Sequence, residues 1–349
     1  MPTARAYMID SPTGAFHPAI IQRREPGPTE VLFDIQYAGI CHSDIHTARA
    51  EWGPTIFPLV PGHEIAGVVT RVGSDVTKFK VGDRVGVGCF VDSCGACDMC
   101  EADTEQFCKD AVYTYNSVGR DGLPTAGGYS TAITVEQDYI CHIPDAIPLD
   151  AAAPLLCAGI TLYSPLKRWG AGPGKQVAIV GMGGLGHMGV KIAAAMGAEV
   201  SVISQTRAKE ADGLAFGAKH YYATSEPGTL EGLRKHFDLI ITTVAASTDV
   251  TPLVDCLRAG GVLVDVGLPQ HKSEIKMSAL VHGNRILAGS QIGGIAETQE
   301  MLDFCGAHGI APQIEIITGD DITSAYDKVV NSQVRYRYVI DTSTFPDTL

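Results

Sequence analysis

The chain has 349 residues, 45% of them apolar and 19% charged. This composition excludes a disordered or fibrous protein, and the length allows about two domains whose cores need no disulfide staples. Asp and Glu outnumber Lys and Arg by 39 to 26, a formal charge of -13, so nonspecific partnership with nucleic acid or an anionic membrane is disfavoured.

The opening residues 1–10 carry Arg5 and Asp10 and no apolar run, so no secretory segment is expected and the cytoplasm is the expected compartment. The first 150 residues read as β-rich. VLFDIQYAGI (31–40), EIAGVVTRVG (64–73) and DRVGVGCFV (83–91) are Val-rich strands closed by glycine or polar turns, a spacing that suits a small barrel-like sheet. Residues 151–169 read as a broken helix. From Lys175 onward, strands and helices alternate. QVAIVG, EVSVISQ, FDLIITTV (237–244) and GGVLVDVG (260–267) are apolar strands, and NRILAGSQ (284–291) is read as a further one. LGHMGVKIAAAMG, KEADGLAFG and ETQEMLDFCGAHG are the helices. Continuous apolar strands separated by helices indicate a parallel sheet covered on both faces. The most membrane-like stretch, 178–198, contains Lys191 and His187 and reads as a buried strand, turn and helix, not a span. The tail YRYVIDTS (336–343) is a strand expected to rejoin the first domain. The expected division is therefore 1–153 with 296–349 for one domain, and 154–295 for a Rossmann-type dinucleotide domain inserted between them.

The string GMGGLG, residues 181–186, follows an apolar strand and opens a helix. In that context Gly181 permits the tight turn, Gly183 and its neighbours Gly184 and Leu185 let backbone N–H groups approach a pyrophosphate, and Gly186 lets helix and strand pack closely. NAD-binding sites place a carboxylate at the end of the next strand, where it accepts from the ribose hydroxyls. Here that strand ends in ISQTRAK, with no acid until Glu210. Hydroxyls and cations welcome a 2′-phosphate, so NADP(H) is expected, with Ser204, Thr206, Arg207 and Lys209 as candidate phosphate contacts.

Of ten cysteines, Cys94, Cys97, Cys100 and Cys108 crowd into one segment. Four close thiolates point to a structural zinc, with an iron–sulfur cluster as the less favoured reading. The closed sulfur shell leaves no open position for chemistry. Cys41, His63 and Cys157 are far apart in sequence and individually weak signals, since each could be an ordinary core residue. Together they would make a Cys2His shell with one open position. Beside them, Glu64 could exchange with a departing ligand, and Asp44 could accept the second ring N–H of His63.

The strings AGICHSDIH, VPGHEIAGVV, GCFVDSCGACDMC, AAPLLCAGITLYSPL, VGMGGLGHMGVKIA and VRYRYVID resemble the zinc-dependent medium-chain alcohol dehydrogenases, and within them the cinnamyl alcohol dehydrogenase-like group. The resemblance implies an α/β fold with a GroES-like β-rich catalytic domain and a Rossmann-type doubly wound parallel sheet. It implies Cys41, His63 and Cys157 as catalytic zinc ligands with Glu64 nearby, the four clustered cysteines as structural ligands, and hence two zinc ions per chain. Ser43 matches the hydroxyl that hands a proton to or from the substrate oxygen, and His46 the base at the solvent end of the relay. Thr161 matches a nicotinamide-lining position, and Arg335 a cofactor-phosphate contact. His42 is expected to point elsewhere if its stretch is locally extended.

The implied activity is reversible reduction of aromatic, α,β-unsaturated and some aliphatic aldehydes by NADPH, in a homodimer acting on small molecules. Pocket candidates are Trp52, Cys89, Phe90, Tyr115 and Ile292. The alternatives are an NAD-dependent alcohol or polyol dehydrogenase and, from a different class, a non-catalytic NADPH-binding zinc protein.

Overall fold

Three strands pair with EVLFDIQYAG. In the computed structural model, which describes residues 1–246, 249–269 and 272–347, the strand Glu30–Gly39 takes antiparallel partners on both edges. Ala132–Glu136 pairs with its first half, Arg337–Asp341 with its end, and Ile65–Val72 with the opposite edge. With both edges occupied, its backbone groups are satisfied and most of its side chains are free to be buried. The sheet it anchors has seven strands, running Ile314–Ile317, Arg337–Asp341, Glu30–Gly39, Ile65–Val72, Arg84–Val87 and Cys141–His142, with Ala132–Glu136 branching from Glu30–Gly39. The tail therefore does return to the first part of the chain. An adjoining core contains Ile9, Ile40, Ile45, Leu59, Tyr129, Tyr326, Ile340 and Phe345. This compact unit consists of Met1–Cys157 and Gly293–Leu349.

The second compact unit, Ala158–Ile292, is a six-stranded parallel sheet. Its order is His220–Ala223, Glu199–Ser204, Gln176–Val180, Phe237–Thr242, Leu257–Asp265 and Ile286–Gly289. Numbered along this unit, that order is 3-2-1-4-5-6, the doubly wound arrangement whose ligand crevice lies at the carboxyl ends of the central strands. The strand His220–Ala223 is the sixth member that hydrophobic pattern alone leaves unassigned. It has only four residues, alternates in exposure, and is held by its parallel pairing to Glu199–Ser204. The membrane-like stretch 178–198 resolves into the strand Gln176–Val180, the glycine turn and the helix Gly186–Ala195. That helix packs on the helix Ala158–Arg168 at Gly189, where a Cβ would crowd Leu162.

The broken helix of 151–169 is a helical turn Leu149–Ala152, a 3-10 turn Ala153–Leu156, and the helix Ala158–Arg168. Cys157 sits at the break with φ -128° and ψ -65°. No single helix among the described residues is long and apolar enough to cross a membrane. The bent pair Leu149–Leu156 and Ala158–Arg168 passes by length and composition alone.

Candidate functional site

The pairing of Ala38 with Ile65 brings the exit of one strand beside the entry of the next. Cys41 lies just past the first, at the N-cap of the helix His42–Ala48, and His63 and Glu64 lie just before the second. Cys157, at the end of the 3-10 turn, completes the group. One ligating atom from each of Cys41, His63, Glu64 and Cys157 lies within 4.8 Å of all the others, and all four residues are buried. The Cys41 and Cys157 sulfurs are 3.9 Å apart. Two thiolates on a tetrahedral zinc, with Zn–S near 2.3 Å, stand about 3.8 Å apart, so the pair fits that ion.

Asp44 organises this cluster from a fully buried position. Its carboxylate accepts from Cys41 N at 2.9 Å, Gly62 N at 3.1 Å, the Tyr129 hydroxyl at 3.4 Å, and His63 Nδ1 at 3.0 Å. With Nδ1–H donated to a carboxylate, Nε2 keeps its lone pair for a metal. Burial works against a charged His63, but Asp44, Cys89 and Cys41 acting together outweigh it and hold the ring's pKa well above the usual value. The two thiols share a hydrogen bond that pulls Cys41 well below the ordinary thiol value and pushes Cys157 well above it.

Glu64 is wholly buried. Its Oε1 takes the Arg337 guanidinium, while Oε2 has no hydrogen-bond partner. Burial pushes the carboxyl up to about 7, against the opposing pull of Arg337. A Cβ on Gly39 would overlap the Oε2 atom, so only glycine leaves room for the carboxylate there. An orphan carboxylate oxygen grouped with two thiols and an imidazole suits a bound cation. Arg337 is a residue that the sequence reading missed. Arg335, expected as a cofactor-phosphate contact, is exposed, and its backbone N–H donates to Glu315. The available signal was a cation inside the apolar run YRYVI, where a buried charge requires a partner.

Residues 42–48, expected to be extended, form a helix because the Asp44 carboxylate accepts from the backbone N–H at Cys41 and caps its first turn. Ser43 and His46 are then three apart on that helix and share a face. Ser43 Oγ is 3.6 Å from Cys41 Sγ. His46 Nδ1 pairs with Glu51 Oε2 at 2.5 Å, and its ring stacks on Trp52 with centroids 4.7 Å apart. Glu51 is a second residue that sequence reasoning did not find. Of the pocket candidates in this unit, Tyr115 stacks on His63 at 5.8 Å, and Cys157 is the main influence that holds the Cys89 thiol below its ordinary value. Phe90 is core, packed edge-on against Tyr139. Ile292 belongs to the other unit.

Cys94, Cys97, Cys100 and Cys108 also converge to within 4.8 Å of one another. The sulfurs of Cys94 and Cys100 are 3.9 Å apart and those of Cys97 and Cys100 are 3.5 Å apart, again near tetrahedral S4 spacing. Backbone N–H groups of Cys94 and Asp110 donate to the Cys108 sulfur at 3.5 and 3.4 Å. None of the ten cysteines, all of them among the described residues, is in a disulfide.

In the second unit, Gly181 has φ +93° and Gly186 opens the helix so closely that a Cβ would overlap the Gly181 carbonyl. A Cβ on Gly183 would meet nothing, so the backbone there faces open space that a pyrophosphate can fill. The strand Glu199–Ser204 ends without an acid, and Lys209 Nζ reaches back to the Met182 carbonyl at 2.9 Å, joining this loop to the glycine turn. Thr206 accepts from Ala208 N at 3.4 Å. Arg207 is held by two carboxylates, Glu210 and Glu226. Thr161 is buried in the helix Ala158–Arg168. The glycine turn fits a dinucleotide pyrophosphate, and the strand end without an acid, with Lys209 beyond it, fits a 2′-phosphate.

Family models for an alcohol dehydrogenase GroES-like domain and a zinc-binding dehydrogenase match residues 27–145 and 184–307. The NADP-dependent alcohol dehydrogenase C 1 of Mycolicibacterium smegmatis is 58% identical over 346 residues, 99% of each chain. A cinnamyl alcohol dehydrogenase from Sorghum bicolor superposes with TM-score 0.96 at 40% identity, covering 99% of this chain and 100% of that one. The Helicobacter pylori CAD complexed with NADP(H) superposes with TM-score 0.93 at 45% identity, covering 98% of each.

Proposed function

The chain belongs to the zinc-dependent medium-chain dehydrogenase/reductase family, in its NADP-dependent, cinnamyl alcohol dehydrogenase-like subgroup, and from that premise we propose that it interconverts primary alcohols and aldehydes with NADP(H). The observation that carries this reading is the buried convergence of Cys41, His63, Glu64 and Cys157. Cys41, His63 and Cys157 would hold the catalytic zinc, with Glu64 as an exchangeable donor, and the four clustered cysteines would hold the structural ion. When bound, zinc supplies a Lewis acid for the carbonyl oxygen and NADPH supplies hydride.

The remaining work falls to the chain's own residues. Asp44 keeps His63 in one tautomer and ties it to the Cys41 backbone. Ser43 Oγ gives a proton to the substrate oxygen on reduction. His46 restores that proton. Because Glu51 fixes Nδ1, Nε2 is the nitrogen left to exchange. Trp52 covers one face of the ring and limits the directions from which water reaches it. Trp52, exposed beside His46, offers a flat apolar surface to an aromatic or α,β-unsaturated aldehyde, and the related cinnamyl alcohol dehydrogenase suits that preference. In the second unit the strand Glu199–Ser204, which ends without an acid, and Lys209 beyond it favour NADP(H) over NAD(H).

The test is NADPH oxidation with cinnamaldehyde, benzaldehyde and butanal, with NADH assayed beside it. Ser43→Ala is expected to lower kcat roughly 10²–10³-fold while leaving NADPH affinity within about twofold of the parent's. Unchanged turnover would remove Ser43 from the relay. A protein carrying zinc at both sites that oxidises NADPH with none of these aldehydes would fit the non-catalytic reading instead.

Ten cysteines without a disulfide among them suit a reducing compartment, the cytoplasm. The edge strand Ile286–Gly289 exposes Ile286 and Leu287, and the neighbouring helix Met277–Val281 exposes both of its end residues. An unpaired apolar edge of this kind supports homodimer formation by strand pairing. Sedimentation is expected to show a dimer that Leu287→Lys converts to monomer. A wild-type monomer at micromolar concentration would end that assignment.

A further inference from the structure

The loops after the strands Glu199–Ser204 and His220–Ala223 continue side by side beyond the strand ends. Thr224 N donates to Ser204 O at 2.8 Å and Ser225 N to Gln205 O at 3.0 Å. This extended pairing carries Glu226 up to Arg207. The guanidinium grips the carboxylate as a fork, Nε to Oε1 at 2.5 Å and Nη2 to Oε2 at 3.0 Å. Its Nη1 donates to Glu210 Oε1 at 2.6 Å. Both backbones are anchored. The Glu226 carbonyl accepts from Thr229 Oγ1 at 2.9 Å, and the Thr206 carbonyl accepts from the Tyr221 hydroxyl at 3.2 Å.

Arg207 stands three residues past the strand end, where the 2′-phosphate of a bound cofactor is expected. Its bidentate edge is the one a phosphate would use, and a carboxylate already occupies it. One cation is set against two anions, so the trio does not attract a phosphate dianion. Lys209 differs, because its ammonium reaches the Met182 carbonyl of the glycine turn.

We propose that Glu226 is a specificity-determining residue, whose carboxylate holds Arg207 off the 2′-phosphate and so limits how strongly the protein prefers NADP(H) to NAD(H). The proposal rests on the NADP(H) reading and names the group that tempers it. Lys209 then supplies the phosphate-binding charge of this loop. Arg207 serves mainly to staple the two loops together. The carboxylate is about half exposed, so solvent and salt screen its field and the effect is moderate.

The experiment measures Kd for NADP+ and NAD+ by calorimetry in the intact protein, without turnover. At about 0.02 M salt, Glu226→Gln is expected to bind NADP+ about three- to tenfold more tightly than the parent, with NAD+ affinity changed by less than about twofold. The gain should shrink at about 0.5 M salt. In an Arg207→Ala background the same substitution should gain less than about twofold, because no guanidinium remains to be released. Unchanged or weaker NADP+ binding by Glu226→Gln overturns the proposal. So does a gain that survives intact without Arg207, which would reduce Glu226 to simple repulsion. Both results leave the cofactor reading standing when the parent protein prefers NADP+. Equal parental affinity for the two dinucleotides overturns that reading and the proposal together.

Discussion

Cys157→Ala is expected to abolish aldehyde reduction, lowering kcat/KM by roughly a thousandfold or more, while the protein stays folded. The expectation follows from the geometry of the buried cluster. Removing one thiol leaves Cys41, His63 and Glu64, of which Glu64 already answers to Arg337. Two firm donors and a shared carboxylate hold zinc poorly. Metal analysis should therefore fall by about one zinc per chain, with the four-cysteine site still filled. The melting temperature should change little, because Cys157 sits in a turn fixed by the buried Leu155 and Leu156 on one side and Ala158 on the other. NADP+ affinity, which depends on the other unit, should persist. Full zinc content with full activity in this variant would refute the ligand assignment.

The second large effect is of the opposite kind. Cys94→Ala should destabilise the protein by about 3–5 kcal/mol and lower the melting temperature by roughly 4–7 °C, while turnover measured well below that temperature falls only slightly. Residues 93–110 carry little regular structure, a four-residue helix and a 3-10 turn, and three of the four cysteines are only half-buried. So small an apolar contribution does not fix a lobe of this length, and the metal must supply the remainder. Adding a strong chelator to the parent should reproduce the melting loss. A variant that melts like the parent while lacking one zinc would remove the structural role. Comparing the two variants by metal content, melting and turnover separates chemistry from scaffolding.

Much of this organisation is legible in the chain itself. The glycine string works locally: strand, tight turn and helix start are contiguous, so Gly181 and Gly186 announce their roles without any distant contact. The four clustered cysteines are likewise local, since fifteen residues of loop cannot place them far apart. Apolar runs such as QVAIV and FDLIIT mark buried parallel strands by burial on both faces. HYYA was missed because a short edge strand owes its structure to its neighbour rather than to its own pattern.

What only the folded chain decided is which distant polar groups meet. Nothing near Glu64 in sequence says that Arg337, from a strand at the far end of the chain, neutralises one of its oxygens while the other remains unpaired. Nothing in ISQTRAK says that Glu226 grips Arg207, because that contact depends on two loops continuing a strand pairing past its end. The helix at 42–48 was hidden for a related reason. Its capping carboxylate, Asp44, also serves His63, Gly62 and Tyr129. The sequence alone determined the elements and the local motifs, because backbone preference and solvent exclusion act over a few residues. The tertiary structure decided the charge partners, because a buried or clamped charge is satisfied by whatever group the sheet register sets beside it.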